Sequence, residues 1–247
     1  MQKYHKIISL VFSITFLICL QEFPVDRPLF RILGLALLVW LVLLGFYNHW
    51  YLRIIQKYNF WMWLKPLLFF FSSFALFLII PSYFFRGAFL LVVVALGAFF
   101  EAFLGNYSEN VLLSEYLITS FGFFVALCAY NFYFPKFYGL YLTCVFAVSF
   151  VITRSFYEFV PQSNHTKTVA ALILGLFCSE FFWALNFLPL HFSATAFLLF
   201  NLFYFCLILN YYFLFHTLSV KKIQFHLLLV VICSAAVLIA TPWRILT

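Results

Sequence analysis

The chain has 247 residues, of which 67% are hydrophobic and only 9% are charged. Soluble domains are about 45–50% apolar and about 25% charged, and a soluble fold could not cover this much apolar surface, because surface area falls too slowly with chain length. The formal charge of +7 comes from Lys and Arg residues scattered singly or in pairs between apolar runs. That distribution is typical of a multi-pass membrane protein and excludes the clustered basic face of a nucleic-acid-binding protein.

Apolar runs long enough to cross a bilayer recur along the whole sequence. A hydrocarbon core about 30 Å thick needs about 20 apolar residues in a helix. The sequence therefore predicts an all-α fold, a polytopic transmembrane helical bundle of about nine spans that forms a single membrane domain over residues 1–247. The predicted spans are residues 7–23, 29–47, 64–80, 88–104, 116–134, 137–153, 168–187, 192–215 and 223–240.

The first apolar run has two interpretations. Lys3 and Lys6 precede a short apolar stretch, as in a cleaved signal peptide. The residues from Cys19 to Pro24 contain no small-x-small cleavage site, which favours a retained first span. Later in the chain, the longest polar stretch covers residues 154–167 and is too short for a soluble catalytic or nucleotide-binding module.

The Lys and Arg residues favour one side of the membrane. With nine spans, basic residues are more numerous on the side of the N-terminus, and the positive-inside rule then predicts a cytoplasmic N-terminus and an external C-terminus in the cell membrane. The N-terminal side carries Lys3, Lys6, Arg53, Lys57, Lys65, Arg154, Lys167, Lys221 and Lys222, and the other side carries Arg27, Arg31, Arg86, Lys136 and Arg244.

Polar residues recur at a constant spacing. Glu22, Glu101 and Glu180 follow one another at intervals of 79 residues, and Asn131 and Asn210 are also 79 apart. The pattern predicts three repeats of three helices, and an odd number of spans would invert the middle repeat, as in the inverted repeats of secondary transporters. Coincidence among apolar runs of similar length is the alternative. The predicted repeats cover residues 1–85, 86–163 and 164–247.

The same residues are the candidates for an intramembrane polar site. A charge at the centre of a membrane helix costs about 2.5–3.5 kcal/mol for Asp, Lys or Arg on insertion scales. Glu180 is the deepest acid. It is either a proton, cation or substrate site, or a structural group that is protonated, hydrogen-bonded to a neighbouring helix or close to the membrane interface. For Glu22 and Glu101, nearer span ends, the second interpretation is favoured. Asn131 and Asn210 are expected to form hydrogen bonds between helices.

Small residues predict close helix packing, and no pattern indicates a cofactor. Gly97 and the Ala171-x-x-x-Gly175 pattern would let helix backbones approach closely. The six cysteines form no C-x-x-C pattern, and the histidines fall mostly at span ends, where they are too shallow for paired haem ligands. We therefore predict no cofactor, no metal ligand and no catalytic residue, and an enzyme is not the favoured class.

The last third of the chain resembles a known group of proteins. The stretch from Glu180 to Pro189 reads EFFWALNFLP, and it is followed by a tyrosine-rich span and by Thr241-Pro-Trp243. This combination resembles an uncharacterised family of polytopic bacterial inner-membrane proteins, a domain of unknown function. The resemblance implies a multi-pass protein of the bacterial inner membrane and transfers no activity.

Three functions are considered from these features, and the first two are favoured. The first is a non-enzymatic membrane-embedded subunit that packs with other envelope proteins or lipids, in keeping with the few polar residues inside spans. The second is a small-solute or proton/cation-coupled transporter that uses Glu180, suggested by the inverted repeat. An enzyme acting on lipid comes third, because no catalytic residues can be named. Whether Glu180 lines a hydrated cavity or is sealed in packing distinguishes the first two.

Overall fold

A computed structural model describes residues 2–21, 27–54, 60–80, 83–102 and 109–241. Within these ranges every regular element is helical and none is a strand. Short 3-10 turns, Pro135–Phe137 and Tyr157–Phe159, adjoin the sixth helix. The helices are α1 (Gln2–Gln21), α2 (Arg27–Ile54), α3 (Phe60–Phe77), α4 (Tyr83–Ala102), α5 (Glu109–Tyr133), α6 (Tyr138–Phe156), α7 (Asn164–Leu185), α8 (Phe192–Leu214) and α9 (Val220–Ala240).

The predicted all-helical class is confirmed over the described residues. Each of the nine helices overlaps one of the predicted apolar runs. Continuous apolar runs lack the alternation of a strand, and a helix satisfies its own backbone hydrogen bonds where lipid cannot. The helices extend beyond the runs at several ends. α2 continues to Ile54 and α5 begins at Glu109, since polar and aromatic residues continue a helix past its apolar segment.

Five helical segments among the described residues are long and apolar enough to cross a membrane. Three further apolar helices are shorter, namely His5–Phe16, Leu64–Phe77 and Phe85–Phe100. The protein is therefore an apolar helical bundle with the character of a multi-pass membrane protein. The five long segments are Val111–Tyr133, Pro135–Phe159, Asn164–Leu185, Phe192–Leu214 and Val220–Ala240.

The chain divides into two compact units, Met1–Glu115 and Tyr116–Thr247. In the first unit, α1 packs against α2 and α4, and α3 packs against the same two helices. The core of this four-helix arrangement contains three mutually contacting rings. The ring centroid of Phe16 lies 5.0 Å from that of Trp40 and 4.8 Å from that of Phe70. The Trp40 and Phe70 rings meet edge-on with their centroids 5.0 Å apart, a geometry that aromatic pairs favour.

Gly97 allows the close approach of helices that the sequence predicts for the first unit. A Cβ atom at this position would lie 2.7 Å from the ring of Phe70 and 3.3 Å from the Ser13 hydroxyl. Even alanine would therefore displace the Phe70 ring. The missing side chain lets α4 pack closely against α1 and α3.

The second unit is a chain of packed helices. α6 packs against α7, α7 against α8, and α8 against α9. Gly175 in α7 faces α6, and a Cβ atom there would lie 3.1 Å from the Phe146 carbonyl oxygen, which confirms the predicted close packing. α5 joins α8 through ring contacts such as Phe124 with Phe203, at 5.4 Å. The single membrane domain and the three repeats stay predictions.

Candidate functional site

Glu180 lies on the outward surface of α7. One side of this helix is buried, including Ala171, Leu174, Cys178 and Phe182. The opposite side is exposed, and Glu180 is the acid on it. We call this exposed side the α7 outer face. It comprises Ile173, Leu176, Phe177, Glu180 and Trp183.

The position of Glu180 is unfavourable for an unpaired carboxylate. It lies five residues before the end of α7 at Leu185, or about 7–8 Å along the axis at 1.5 Å per residue. Its neighbours one helical turn away on the same face, Leu176, Phe177 and Trp183, are apolar and exposed. Among the described residues, no group forms a hydrogen bond or an ion pair with it.

The other two predicted glutamates are not described at side-chain level. Glu22 lies outside the described residues. Glu101 belongs to α4, but its side chain lies outside the described part of the structure. That the three glutamates occupy equivalent positions in three repeats therefore stays a prediction.

Asn131 joins two helices of the second unit. Its side-chain Nδ2 donates to Oδ1 of Asn186 across 2.6 Å, and Asn186 Nδ2 donates to the Phe182 carbonyl, also at 2.6 Å. The Tyr138 hydroxyl of α6 lies beside Asn186. The end of α5, the start of α6 and the end of α7 thus meet at one polar cluster of two amides and a phenol, which positions helix ends.

Asn210 occupies a comparable place at another junction. It is partly buried in α8 and lies beside the hydroxyl of Tyr157, in the turn after α6. Asn201, which the sequence analysis did not single out, donates to the Ser234 hydroxyl at 3.1 Å and links α8 to α9. The structure does not bring Asn131, Asn210 and Glu180 together into one described cavity.

A buried ion pair in the first unit escaped the sequence analysis. Lys65 of α3 and Glu115 of α5 are 0% and 1% exposed, and the Nζ and Oε2 atoms are 3.9 Å apart. Lys65 stands at the start of the predicted span 64–80, where it was counted among the charges of the N-terminal side, and Glu115 falls just before the predicted fifth span. Both lie well inside helices. Burial of either charge alone would be costly, so the attraction between them offsets part of the cost of desolvation.

A second charged cluster ties α6 to α7. Arg154 donates to the Glu158 carboxylate at 2.7 Å, to the Thr168 hydroxyl at 3.2 Å and to the Asn164 side chain at 3.2 Å. Lys167 donates to the backbone carbonyl of Glu158 at 3.3 Å. We call these five residues the Arg154 cluster. Its arginine lies at the C-terminal end of α6, where positive charge is favourable.

The described cavities do not include the predicted site. One of about 490 Å³ lies between α2 and α3, and another of about 440 Å³ lies between the start of α8 and the end of α9. Glu180 lines neither. Within the described ranges, no group of three or more His, Cys, Asp or Glu residues could hold a metal ion.

The comparisons with known proteins assign the chain to no family. The sequence matches no protein-family model and no curated protein, and the structure matches no solved structure. Composition, helices and packing therefore define a class, which is an apolar all-helical bundle with several helices suited to crossing a membrane.

Proposed function

We propose that the protein is a non-enzymatic multi-pass integral membrane subunit that binds another membrane protein through the α7 outer face. The observation that carries the proposal is the exposed Glu180 carboxylate among exposed Phe177, Leu176 and Trp183. A helix face that only met lipid would gain nothing from a carboxylate, since ionisable groups are costly there. A partner helix with a basic or hydroxyl side chain would supply the donor, and charge-assisted hydrogen bonds are about twice as strong as neutral ones.

Cross-linking in intact cells tests this proposal. A photoreactive phenylalanine analogue replaces Phe177 on the α7 outer face, and a matched control carries it at Leu228, which is also exposed but lies on α9. We expect a protein adduct of defined mass from position 177 and only lipid adducts from position 228. The adduct should fall at least tenfold when Glu180→Leu is added. Equal adducts at both positions, or an adduct insensitive to Glu180→Leu, would refute the proposal.

The topology forms a second part of the proposal. We infer nine membrane spans, a cytoplasmic N-terminus, an external C-terminus and three three-helix repeats with the middle one inverted, in a cell membrane that the family resemblance implies is the bacterial inner membrane. The overlap of nine helices with nine apolar runs supports the span count. Reporter fusions after Lys57, Asn164 and Lys222 should give a cytoplasmic signal, and fusions at Arg86 and Thr247 an external one. An external signal at Lys222 would overturn the nine-span topology.

Transport of a small solute or cation is the second candidate. Transport by way of Glu180 requires a hydrated path beside its carboxylate. Glu180 lines neither of the two described cavities. The buried Lys65–Glu115 pair is a separate observation in its favour, because intramembrane charges often mark ion or proton paths. Proton flux into liposomes that contain the purified protein, abolished by Glu115→Gln or by Glu180→Gln, would favour transport. Absence of flux above that of protein-free liposomes would exclude a proton pathway.

A further inference from the structure

An apolar groove runs along the outer surface of the first unit, between α2 and α3. Its volume is about 490 Å³, within the range of about 300–1,000 Å³ that small-molecule sites occupy. Val42, Phe46 and Phe71 are strongly exposed at its walls. We call it the α2–α3 groove. It is lined by Leu41, Val42, Gly45, Phe46, His49, Leu67, Leu68 and Phe71.

The shape of the groove suits a hydrocarbon chain. The α2 residues that line it, from Leu41 to His49, recur at helical spacing and form a stripe about 12 Å long at 1.5 Å per residue. Gly45 lies in the middle of this stripe and leaves room where any other residue would project a side chain. All lining residues except His49 are apolar. A compact polar solute would find only one hydrogen-bonding side chain here, whereas a flexible apolar chain would fit the whole length.

Positive charge is concentrated at one end of the groove. His49 lines that end, and Arg53 is exposed one helical turn further along α2, on the same side of the helix. The exposed Trp50 lies between them, and tryptophan is enriched at the level of lipid headgroups. Neither α2 nor α3 contains an Asp or Glu. The charge at this end therefore complements an anionic headgroup.

We propose that the α2–α3 groove binds one acyl chain of an anionic glycerophospholipid, with the lipid phosphate at His49 and Arg53. The apolar walls hold the chain. Arg53 attracts the anionic headgroup by charge, as basic juxtamembrane residues do, and His49 can donate a ring N–H to the phosphate. The site lies in the first unit and does not depend on the α7 outer face. Its test can therefore fail or succeed separately from the proposed function.

Photolabelling in vesicles tests the site. The probes are phosphatidylglycerol and phosphatidylcholine, each with a diazirine in the middle of one acyl chain, added at trace level to vesicles that contain the full-length protein. We expect label to concentrate on peptides that contain residues 41–49 and 67–71, with phosphatidylglycerol at least threefold above phosphatidylcholine. Label spread evenly over the apolar surface, including α9, would overturn the proposal.

Two tryptophan variants provide a matched comparison. Val42→Trp fills the groove and should lower labelling of these peptides at least fivefold. Leu43→Trp is the control, because Leu43 is equally exposed (54% against 55% for Val42) but does not line the groove. If Val42→Trp does not fold, Leu68→Trp fills the groove from the α3 wall. Equal labelling of the groove-filling and control variants would contradict an acyl-chain site.

The headgroup is tested separately from the chain. Arg53→Gln combined with His49→Gln should abolish the preference for phosphatidylglycerol while the position of the label stays the same. A preference that survives both substitutions would show that headgroup charge is recognised elsewhere and would overturn the assignment of the phosphate to this end.

Discussion

The two units bury charge in different ways. In the first unit, Lys65 and Glu115 are sealed from solvent and face each other at 3.9 Å, a distance at which the charges attract without a direct hydrogen bond. In the second unit, Arg154 makes three side-chain hydrogen bonds of 2.7–3.2 Å at a helix junction. Glu158 and Thr168 are partly exposed and Asn164 is exposed, so water can replace a lost partner. We therefore expect the exposure of the group left behind to set the cost of losing its partner, since Lys65 is sealed from solvent whereas Asn164 is exposed.

The largest effect is expected for Glu115→Leu. This substitution removes the carboxylate that faces the buried Lys65 ammonium at 3.9 Å, and breaking a buried pair from one side costs about 3–5 kcal/mol. The free energy of unfolding, measured by denaturant titration in mild detergent, should fall by that amount.

The double variant Lys65→Leu with Glu115→Leu is the control for this prediction. Replacing a buried ion pair by apolar residues is often neutral or stabilising, so the double variant should recover most of the loss. A double variant as unstable as Glu115→Leu would contradict coupling between the two charges.

A smaller loss is expected for Arg154→Met. It removes hydrogen bonds to a charged group, each worth about 1.5–3 kcal/mol, but the freed Asn164 and Thr168 groups lie near the surface and can bind water. We expect a loss of about 1.5–3 kcal/mol in the same titration. A loss larger than that of Glu115→Leu would reverse the comparison between the two units.

The Asn131–Asn186 hydrogen bond should contribute less again. Hydrogen bonds between membrane helices contribute about 0.6 kcal/mol on average and at most about 2 kcal/mol. Asn131→Leu should lower the free energy of unfolding by about that much. Asn131→Asp, which keeps an acceptor but cannot donate to the Asn186 oxygen, should be no more stable than Asn131→Leu, and a fully stable Asn131→Asp would show that the bond is not needed.

Much of this fold follows from the sequence, whereas the charged contacts do not. Apolar runs predict all nine described helices, and Gly97 and Gly175 predict two close helix contacts. The Lys65–Glu115 pair was missed because Lys65 stands at the start of the predicted span 64–80 and Glu115 just before the span 116–134, where a charge indicates the membrane surface. Both helices begin several residues earlier in the chain. Pairing between distant residues depends on how helices pack, which a span pattern does not encode.

The outward direction of Glu180 was not predictable for a related reason. Both sides of α7 carry apolar residues, for example Ile173 on the exposed side and Leu174 on the buried side. In a helix that is apolar all round, periodicity does not reveal which side faces neighbouring helices. The structure resolves this ambiguity, because Leu174 is buried whereas Ile173 is exposed on the same face of α7 as Glu180.

The smallest change in stability is expected at Glu180. Because no described residue bonds its carboxylate, Glu180→Gln should change the free energy of unfolding by less than about 0.5 kcal/mol, as surface substitutions usually do. Glu180→Leu should leave it equal or higher, since an apolar side chain suits an exposed face in lipid. Glu158→Gln is the matched control: the same substitution at a carboxylate that Arg154 binds at 2.7 Å should cost about 1–3 kcal/mol. A loss above 1 kcal/mol for Glu180→Gln would mean that the carboxylate stabilises the isolated chain. Unchanged stability, together with the loss of the cross-linked adduct in Glu180→Leu, would instead place the role of Glu180 in binding a partner, because only the assembled complex would then depend on it.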